Sequence, residues 1–370
     1  MRYSEVKYQP ERARTYLGSP SITRAPDGAL VATHDHFGAG SPRNHEGEEA
    51  LLSVYRSEDE GQTWVNVTHV MNQYWSSVFT HRGALYLLGT SQQYGSIVIR
   101  RSDDGGFTWT RAGDRKSGLL DQGGFFHDNP NYHCAPVPVL SHAGRLWRAF
   151  EDCRDARWGP GFQSLVLSVP EDADLLDADS WTMTNKLAFD PAWLPDDWKP
   201  VVNAGWLEGN MVLAPDGQLL NILRLQSDPQ LDKAAVVRIS ADGTKAEFER
   251  IIDFPGGITK FSIRHCQPCG LYLTLANASM DPAEVPQRNV LALCASHDLH
   301  TWRVVHELLR DESGLEWDMS RRLTGFQYVD WQFDGADILY LVRTAYRGAH
   351  NFHDSNRITF HRLTDYAQLL

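Results

Sequence analysis

The segment SEDEGQTW at residues 57–64 returns as SDDGGFTW at residues 102–109, and this duplication constrains the chain more than any other feature of it. Both copies fit Ser-x-Asp-x-Gly-x-Thr-Trp. In such a segment a short acidic side chain bonds the turn backbone, glycine accepts a positive φ, and tryptophan anchors the turn. Weaker copies follow from Asp174 (DLLDADSWT), Ser240 (SADGTKAEF) and Ser296 (SHDLHTW). Internal repetition outranks other signals, because a repeated supersecondary unit dictates the whole architecture.

A second unit precedes each turn: a strand, a turn ending in glycine, and another strand. It occurs at residues 18–35, 74–90, 133–151, 205–225, 260–277 and 325–346, giving six copies roughly 50 to 75 residues apart. Further strands, such as ALLSVYRS and RNVLALCAS, complete each copy. Four strands per repeat is the make-up of a β-propeller blade. The expected fold is therefore all-β: one domain over residues 1–370, a six-bladed propeller of four-stranded antiparallel blades, with seven blades as the alternative count. An open ring would leave an unpaired edge. Residues 356–363 supply the third strand of the last blade, and the N-terminal segment 4–10 is placed to supply its outer strand and close the ring. The inserts near 111–132, 186–204 and 308–324 read as surface loops, and little helix is expected.

The fourth unit, GWLEGNMVLAPDGQLLNILRL (205–225), reads as two strands joined by Pro215-Asp216-Gly217. Glu208 near the start of one strand and Arg224 near the end of the other come to the same edge of the sheet, where they can face a pocket or satisfy each other.

Twelve Trp, thirteen Tyr and fifteen Phe in 370 residues indicate a packed chain rather than a disordered one. The net charge of -12 disfavours nucleic acid and anionic membrane as partners. No apolar stretch approaches about 18 residues and no signal-peptide pattern opens the sequence, so a cytoplasmic location is expected, or a periplasmic or secreted one had a leader been removed. Five scattered cysteines suit a reducing compartment, and Cys266-x-x-Cys269 reads as a turn with buried thiols. No metal or cofactor is expected, and oligomeric state is left open.

The acidic turns resemble the Asp boxes (BNR repeats) of the sialidase (neuraminidase) superfamily, whose propeller also has six blades. Glu208, Met211-Val212, Asp216-Gly217 and Arg224 look like that family's Ser-Glu-x-x-x-Val, glycine turn and arginine. Arg288, in QRNVLALCASHDLHTW, matches an arginine that precedes a family Asp box, and Tyr328-Val329-Asp330-Trp331 resembles the family's Tyr-Ser-Asp-Leu. The chain departs from the pattern on the first blade, where Gly18-Ser19-Pro20 replaces Arg-Ile-Pro and NHEGEEALL holds no clear counterpart of the catalytic aspartate.

The resemblance implies a sialidase-like exo-glycosidase that releases a terminal, acidic sugar from a glycan. Tyr328 would be the nucleophile and Glu208 its base, because a phenol with a pKa of about 10 needs an adjacent proton acceptor at neutral pH. Arg224 and Arg288 would bind the substrate carboxylate. The acid candidates are Glu48, Glu46, Asp35 and His34. Arg343, Arg148, Asn210, Lys260, His133 and Gln327 complete the set of residues expected to line the pocket. Two other readings stand beside this one: a propeller-type polysaccharide lyase using a His or Tyr base on a uronate-linked glycan, and a glycan-binding propeller without catalysis. Each residue also has a structural role open to it, since buried tyrosines and histidines in β-proteins commonly serve packing.

Overall fold

The computed structural model describes residues 3–198, 201–278 and 287–370. Residues 199 and 200 of the expected 186–204 loop lie outside the described residues. Six antiparallel sheets form six blades. Their innermost strands are Ser21–Arg24, Tyr74–His81, the pair Tyr132–His133 and Leu140–His142, Gly205–Leu213, Ile263–Cys266 and Gly325–Asp334. The chain runs outward through each blade and then crosses to the inner strand of the next.

Closure follows the expected route. Ser4–Tyr8 pairs antiparallel with Arg357–Leu363, with Ser4 opposite Phe360, so the N-terminal strand becomes the outer strand of blade 6. Val6 is buried there with Leu339, Leu341, Ile358 and Phe360, in a cluster that continues into blade 1 through Leu30 and Tyr55. Among the described residues, helix is confined to one α-helix, Trp317–Leu323 in the 308–324 insert, and short 3-10 turns.

The repeated turns sit between the third and fourth strands and share one hydrogen-bond pattern. Asp59 accepts from the Ser57 hydroxyl (2.8 Å), the Thr63 amide (2.9 Å) and the Thr63 hydroxyl (2.7 Å), while Trp64 Nε1 donates to the Gly61 carbonyl (3.2 Å). Asp104 accepts the same three bonds from Ser102 and Thr108, and Trp109 donates to Gly106. Asp298, with Ser296, Thr301 and Trp302, repeats most of the pattern on blade 5. The aspartate therefore replaces backbone partners that a tight turn leaves unpaired.

One feature differs from the sequence expectation. Cys266 and Cys269 are joined by a disulfide rather than being free thiols. The hairpin between Ile263–Cys266 and Leu271–Ala276 brings their Cα atoms to 5.3 Å, within the span a disulfide requires. Cys134, Cys153 and Cys294 are free and buried.

Because the outer strand of blade 6 comes from the other end of the chain, its removal opens the ring. Deleting residues 1–10 is expected to lower the melting temperature by more than about 5 °C, measurable by differential scanning fluorimetry; an unchanged transition would show that closure contributes nothing to stability.

Candidate active site

Three inner strands carry the same irregularity. The register of Gly205–Leu213 against its neighbour slips between Leu207 and Asn210, that of Gly325–Asp334 between Gln327 and Asp330, and that of Tyr74–His81 between Tyr74 and Ser77. In each bulge the first extra residue has a left-handed backbone: Glu208 at φ 59°, Tyr328 at φ 51° and Trp75 at φ 44°. Such conformations cost on the order of 1–3 kcal/mol for a side chain larger than glycine and persist where the surroundings impose them. In blade 4 the second bulge residue has to be glycine, since a Cβ on Gly209 would lie 2.2 Å from Asn221 Oδ1.

The bulges of blades 4 and 6 present Glu208 and Tyr328 to one another. Glu208 Oε2 accepts from Arg224 Nη1 at 3.0 Å, and both side chains are almost fully buried. Burial alone would raise the Glu208 carboxyl, but Arg224, His133 and hydrogen bonds from Arg224 and Tyr328 outweigh it and hold the group below its usual pKa. Tyr328 is displaced upward, first by burial and then by the Glu208 charge, while Arg224, Arg288 and Arg343 pull it back down. The phenol is therefore neutral at rest, beside a carboxylate able to take its proton.

Three guanidinium groups converge on that phenol. Arg343 lies over the Tyr328 ring at 4.7 Å and over Phe37 at 4.5 Å, and donates to the His353 carbonyl at 2.7 Å. Arg288 lies 5.9 Å from the Tyr328 ring centre and donates to Gln327 Oε1. Burial, with Arg224 and Arg343 nearby, lowers Arg288 to about 10. In all three arginines Nε is buried without a hydrogen-bond partner. Clustered, incompletely satisfied cations of this kind suit an anionic ligand.

Behind Glu208 the Gly209 amide donates to Glu151 Oε1 (3.1 Å), and Glu151 Oε2 bonds His133 Nδ1 (2.9 Å). Glu48, on the loop of blade 1, lies 2.9 Å from His127 Nε2, and the neighbouring Phe126 amide donates to Glu46 at 2.7 Å. Burial raises the Tyr94 phenol first, and the charges of Cys153, Tyr328 and Glu48 act in the same direction. Asp35 stands behind this group, fully buried: Oδ1 accepts the Trp75 amide at 3.1 Å and Oδ2 has no partner. Burial, only partly opposed by the Trp75 amide and Arg343, lifts its pKa well above the carboxylate range.

The sequence candidates thus divide into two groups. Tyr328, Glu208, Arg224, Arg288, Arg343 and His133 share one cluster, Glu48 borders it, and Gln327 holds Arg288 while donating to the Phe352 carbonyl at 2.6 Å. Of the others, Arg148, Lys260 and Asn210 lie in seams between blades and His34 lies within blade 1. Arg148 bonds the Ala135 carbonyl (2.6 Å) and Ser77 (3.2 Å), and Lys260, which burial lowers to about 8, bonds Ser262 (2.7 Å) and the Val329 carbonyl (2.6 Å). Asn210 bridges to Phe261 and Ile263 on the next blade, and His34 packs on Tyr55 and His36. Trp75 and Tyr94 join the cluster without having been singled out as site residues. The signal for Trp75 lies in aligning the repeats: Trp75-Ser76-Ser77, Glu208-Gly209-Asn210 and Tyr328-Val329-Asp330 each place a large side chain two residues before a polar one.

Among the described residues no three His, Cys, Asp or Glu side chains are grouped as metal ligands. A separate cavity of about 610 Å³ opens at the hairpin ends of the inner strands, between Leu140, Pro215 and Arg264, and contains none of the Tyr328 cluster.

No protein-family model and no curated protein sequence matches the chain. Among solved structures it is similar over its whole length to an α-L-arabinanase of Penicillium chrysogenum complexed with arabinobiose, at 15% identity, TM-score 0.61 and 99% coverage of that chain. It is similar over 98% of its length to a Hadza microbial sialidase, at 15% identity and TM-score 0.61 over 68% of that chain. The leech intramolecular trans-sialidase complexed with 2,7-anhydro-Neu5Ac shares 11% identity at TM-score 0.58, covering 100% of this chain and 71% of that one. The protein has the six-bladed propeller fold of sialidases and arabinanases.

Asp35 carries a consequence for stability. Its native pKa lies above the unfolded value of about 3.9, so the native state binds more protons in the window between them and stability falls as pH rises through it. Its contribution is complete below that unfolded value. Asp35→Asn, uncharged throughout, is expected to match wild type in strong acid and to gain thermal stability relative to it as pH rises; parallel melting curves across pH would disprove the assignment.

Proposed function

We propose that the protein is a glycoside hydrolase that releases a terminal acidic sugar. The observation that carries this reading is the convergence of Arg224, Arg288 and Arg343 on a tyrosine that shares a hydrogen bond with Glu208. A neutral nucleophile suits a substrate with a carboxylate near its reacting carbon, because an aspartate or glutamate in its place would repel that carboxylate.

The chemistry follows from the groups present. The substrate carboxylate sits on the guanidinium cluster, which fixes the anomeric carbon over Tyr328. Tyr328 Oη attacks that carbon as its proton passes to Glu208, and the glycosidic bond breaks with the leaving oxygen taking a proton from Glu48. Water, giving its proton to Glu48, then attacks the glycosyl-tyrosine. The phenol oxygen recovers its proton from Glu208 and both carboxyl groups return to their starting states. Asp35 is sealed beneath Trp75, its Oδ1 accepting the Trp75 amide, so the partly exposed Glu48 is the better placed acid.

Tyr328→Phe is expected to lower turnover of 4-methylumbelliferyl glycosides of acidic sugars by at least about a thousandfold, with a melting temperature close to wild type. Glu208→Gln should act in the same direction. Undiminished release by Tyr328→Phe would sink the nucleophile assignment, and a product absorbing near 235 nm, roughly the region of an unsaturated uronate, would indicate elimination instead of hydrolysis.

A further inference from the structure

The side chains gathered near Tyr328 form two unlike groups. Arg288 and Arg343 make one of them cationic. The other is neutral and aromatic: the Trp75 indole stands edge-on to His133 at 4.3 Å between centroids, with Tyr74 at 5.0 Å and Tyr94 at 6.1 Å. We propose that Trp75 is the specificity-determining contact of this site, receiving the apolar C–H face of a sugar ring whose carboxylate lies on the opposite, arginine wall. This rests on the acidic-sugar reading above and narrows it to ligands that are anionic on one side and apolar on the other.

The bulge is the first support. Trp75 occupies, on blade 2, the same register break and left-handed backbone that bring Glu208 and Tyr328 to the centre on blades 4 and 6. A bulky residue at φ 44° is strained, and here the strain is imposed from both sides of the peptide. The Trp75 amide donates to buried Asp35 Oδ1, and its carbonyl accepts from the Cys134 thiol at 3.2 Å. A residue needed only to fill a core would not require a second carboxyl group to hold its backbone in an unfavourable region.

The second support is what the indole neighbours. His133 acts on Glu208 and is tied through Glu151 to the amide after it. Tyr94 feels both Tyr328 and Glu48. The indole therefore stands beside the groups assigned to chemistry, while remaining only half-buried itself. A sugar ring has polar edges and apolar faces, and an aromatic surface takes the face by removing it from water.

The test is isothermal titration of wild-type protein and its Trp75 variants with N-acetylneuraminic acid, glucuronic acid and glucose as probes. Wild type is expected to bind at least one acidic probe more tightly than glucose. Trp75→Ala should weaken that binding about tenfold, and Trp75→Phe by no more than about threefold. Should the alanine variant fail to fold, comparison of Trp75→Phe with Trp75→Leu decides, since leucine fills space without offering a flat ring. Equal affinity of wild type and Trp75→Ala, or of Trp75→Phe and Trp75→Leu, overturns the proposal, as does glucose binding as tightly as the acids or no probe binding at all. Trp75-dependent binding without hydrolysis of any acidic glycoside would sink the hydrolase reading and leave the role of Trp75 standing.

Discussion

A belt of hydrogen bonds around the propeller axis holds the six inner strands together, and the site depends on it. Ser21 Oγ donates to Asp330 Oδ2 (2.7 Å) between blades 1 and 6, and accepts the Val78 amide (3.0 Å) from blade 2. Ser77 donates to the Val137 carbonyl (2.7 Å), joining blades 2 and 3, and Gly209 to Glu151 joins blades 4 and 3. Asn210 accepts the Ile263 amide (3.0 Å), and Trp331 Nε1 donates to the Ser262 carbonyl (3.0 Å), closing the remaining seams. These partners are buried, where each unmade bond would cost about 1–3 kcal/mol. Ser77, Asn210 and Asp330 each lie two residues beyond a bulged side chain, so the residue that locks a seam also fixes where its bulge projects. Scaffold and site are consecutive positions of one strand.

That arrangement explains how strained and charged groups persist at the centre. Burying Glu208 and Arg224 together is not itself a source of much stability, because the desolvation of both charges offsets their attraction. The pair survives because the bulges leave Glu208 nowhere to turn, and because removing either partner would strand the other. A preorganised acid, phenol and guanidinium cluster of this kind requires no rearrangement when charge develops on a bound ligand. The cost is met by the apolar layers between blades, such as the cluster of Trp147, Phe162, Trp206 and Leu223 between blades 3 and 4.

The fold was legible because its signals are local and repeated. Six strand-turn-strand units and the acidic turns needed only short-range chemistry to be read, and the closing N-terminal strand followed from the edge it had to cover. The site was legible in part. Glu208 and Arg224 sit on a single hairpin, so their meeting could be inferred from register alone. Arg148, Lys260 and Asn210 belong to the same strand-turn-strand units as the cluster residues, yet they turn into seams, and nothing within one repeat distinguishes the two directions. Trp75 was hidden for the opposite reason. An aromatic beside another aromatic reads as core; its positive φ is a property of the folded strand, and in the sequence only an alignment of the repeats marks it. The Cys266–Cys269 bond depended on a turn geometry that spacing does not specify.

Close packing at the head of the first blade links three neighbouring blades. A Cβ at Gly18 would lie 2.9 Å from the Asp35 Cβ and 3.2 Å from its carbonyl oxygen, and the Gly18 amide bonds that same carbonyl. No side chain fits there while Asp35 keeps its place. A positive charge lies close by, on the neighbouring blade. Arg343, on the second strand of blade 6, stacks on Phe37 at the end of the Asp35 strand and on Tyr328. Asp35 in turn holds the Trp75 amide. The close packing of Gly18 on blade 1 thus goes with a buried carboxyl group, which fixes the strained backbone of Trp75 on blade 2 and feels the cation of Arg343 on blade 6.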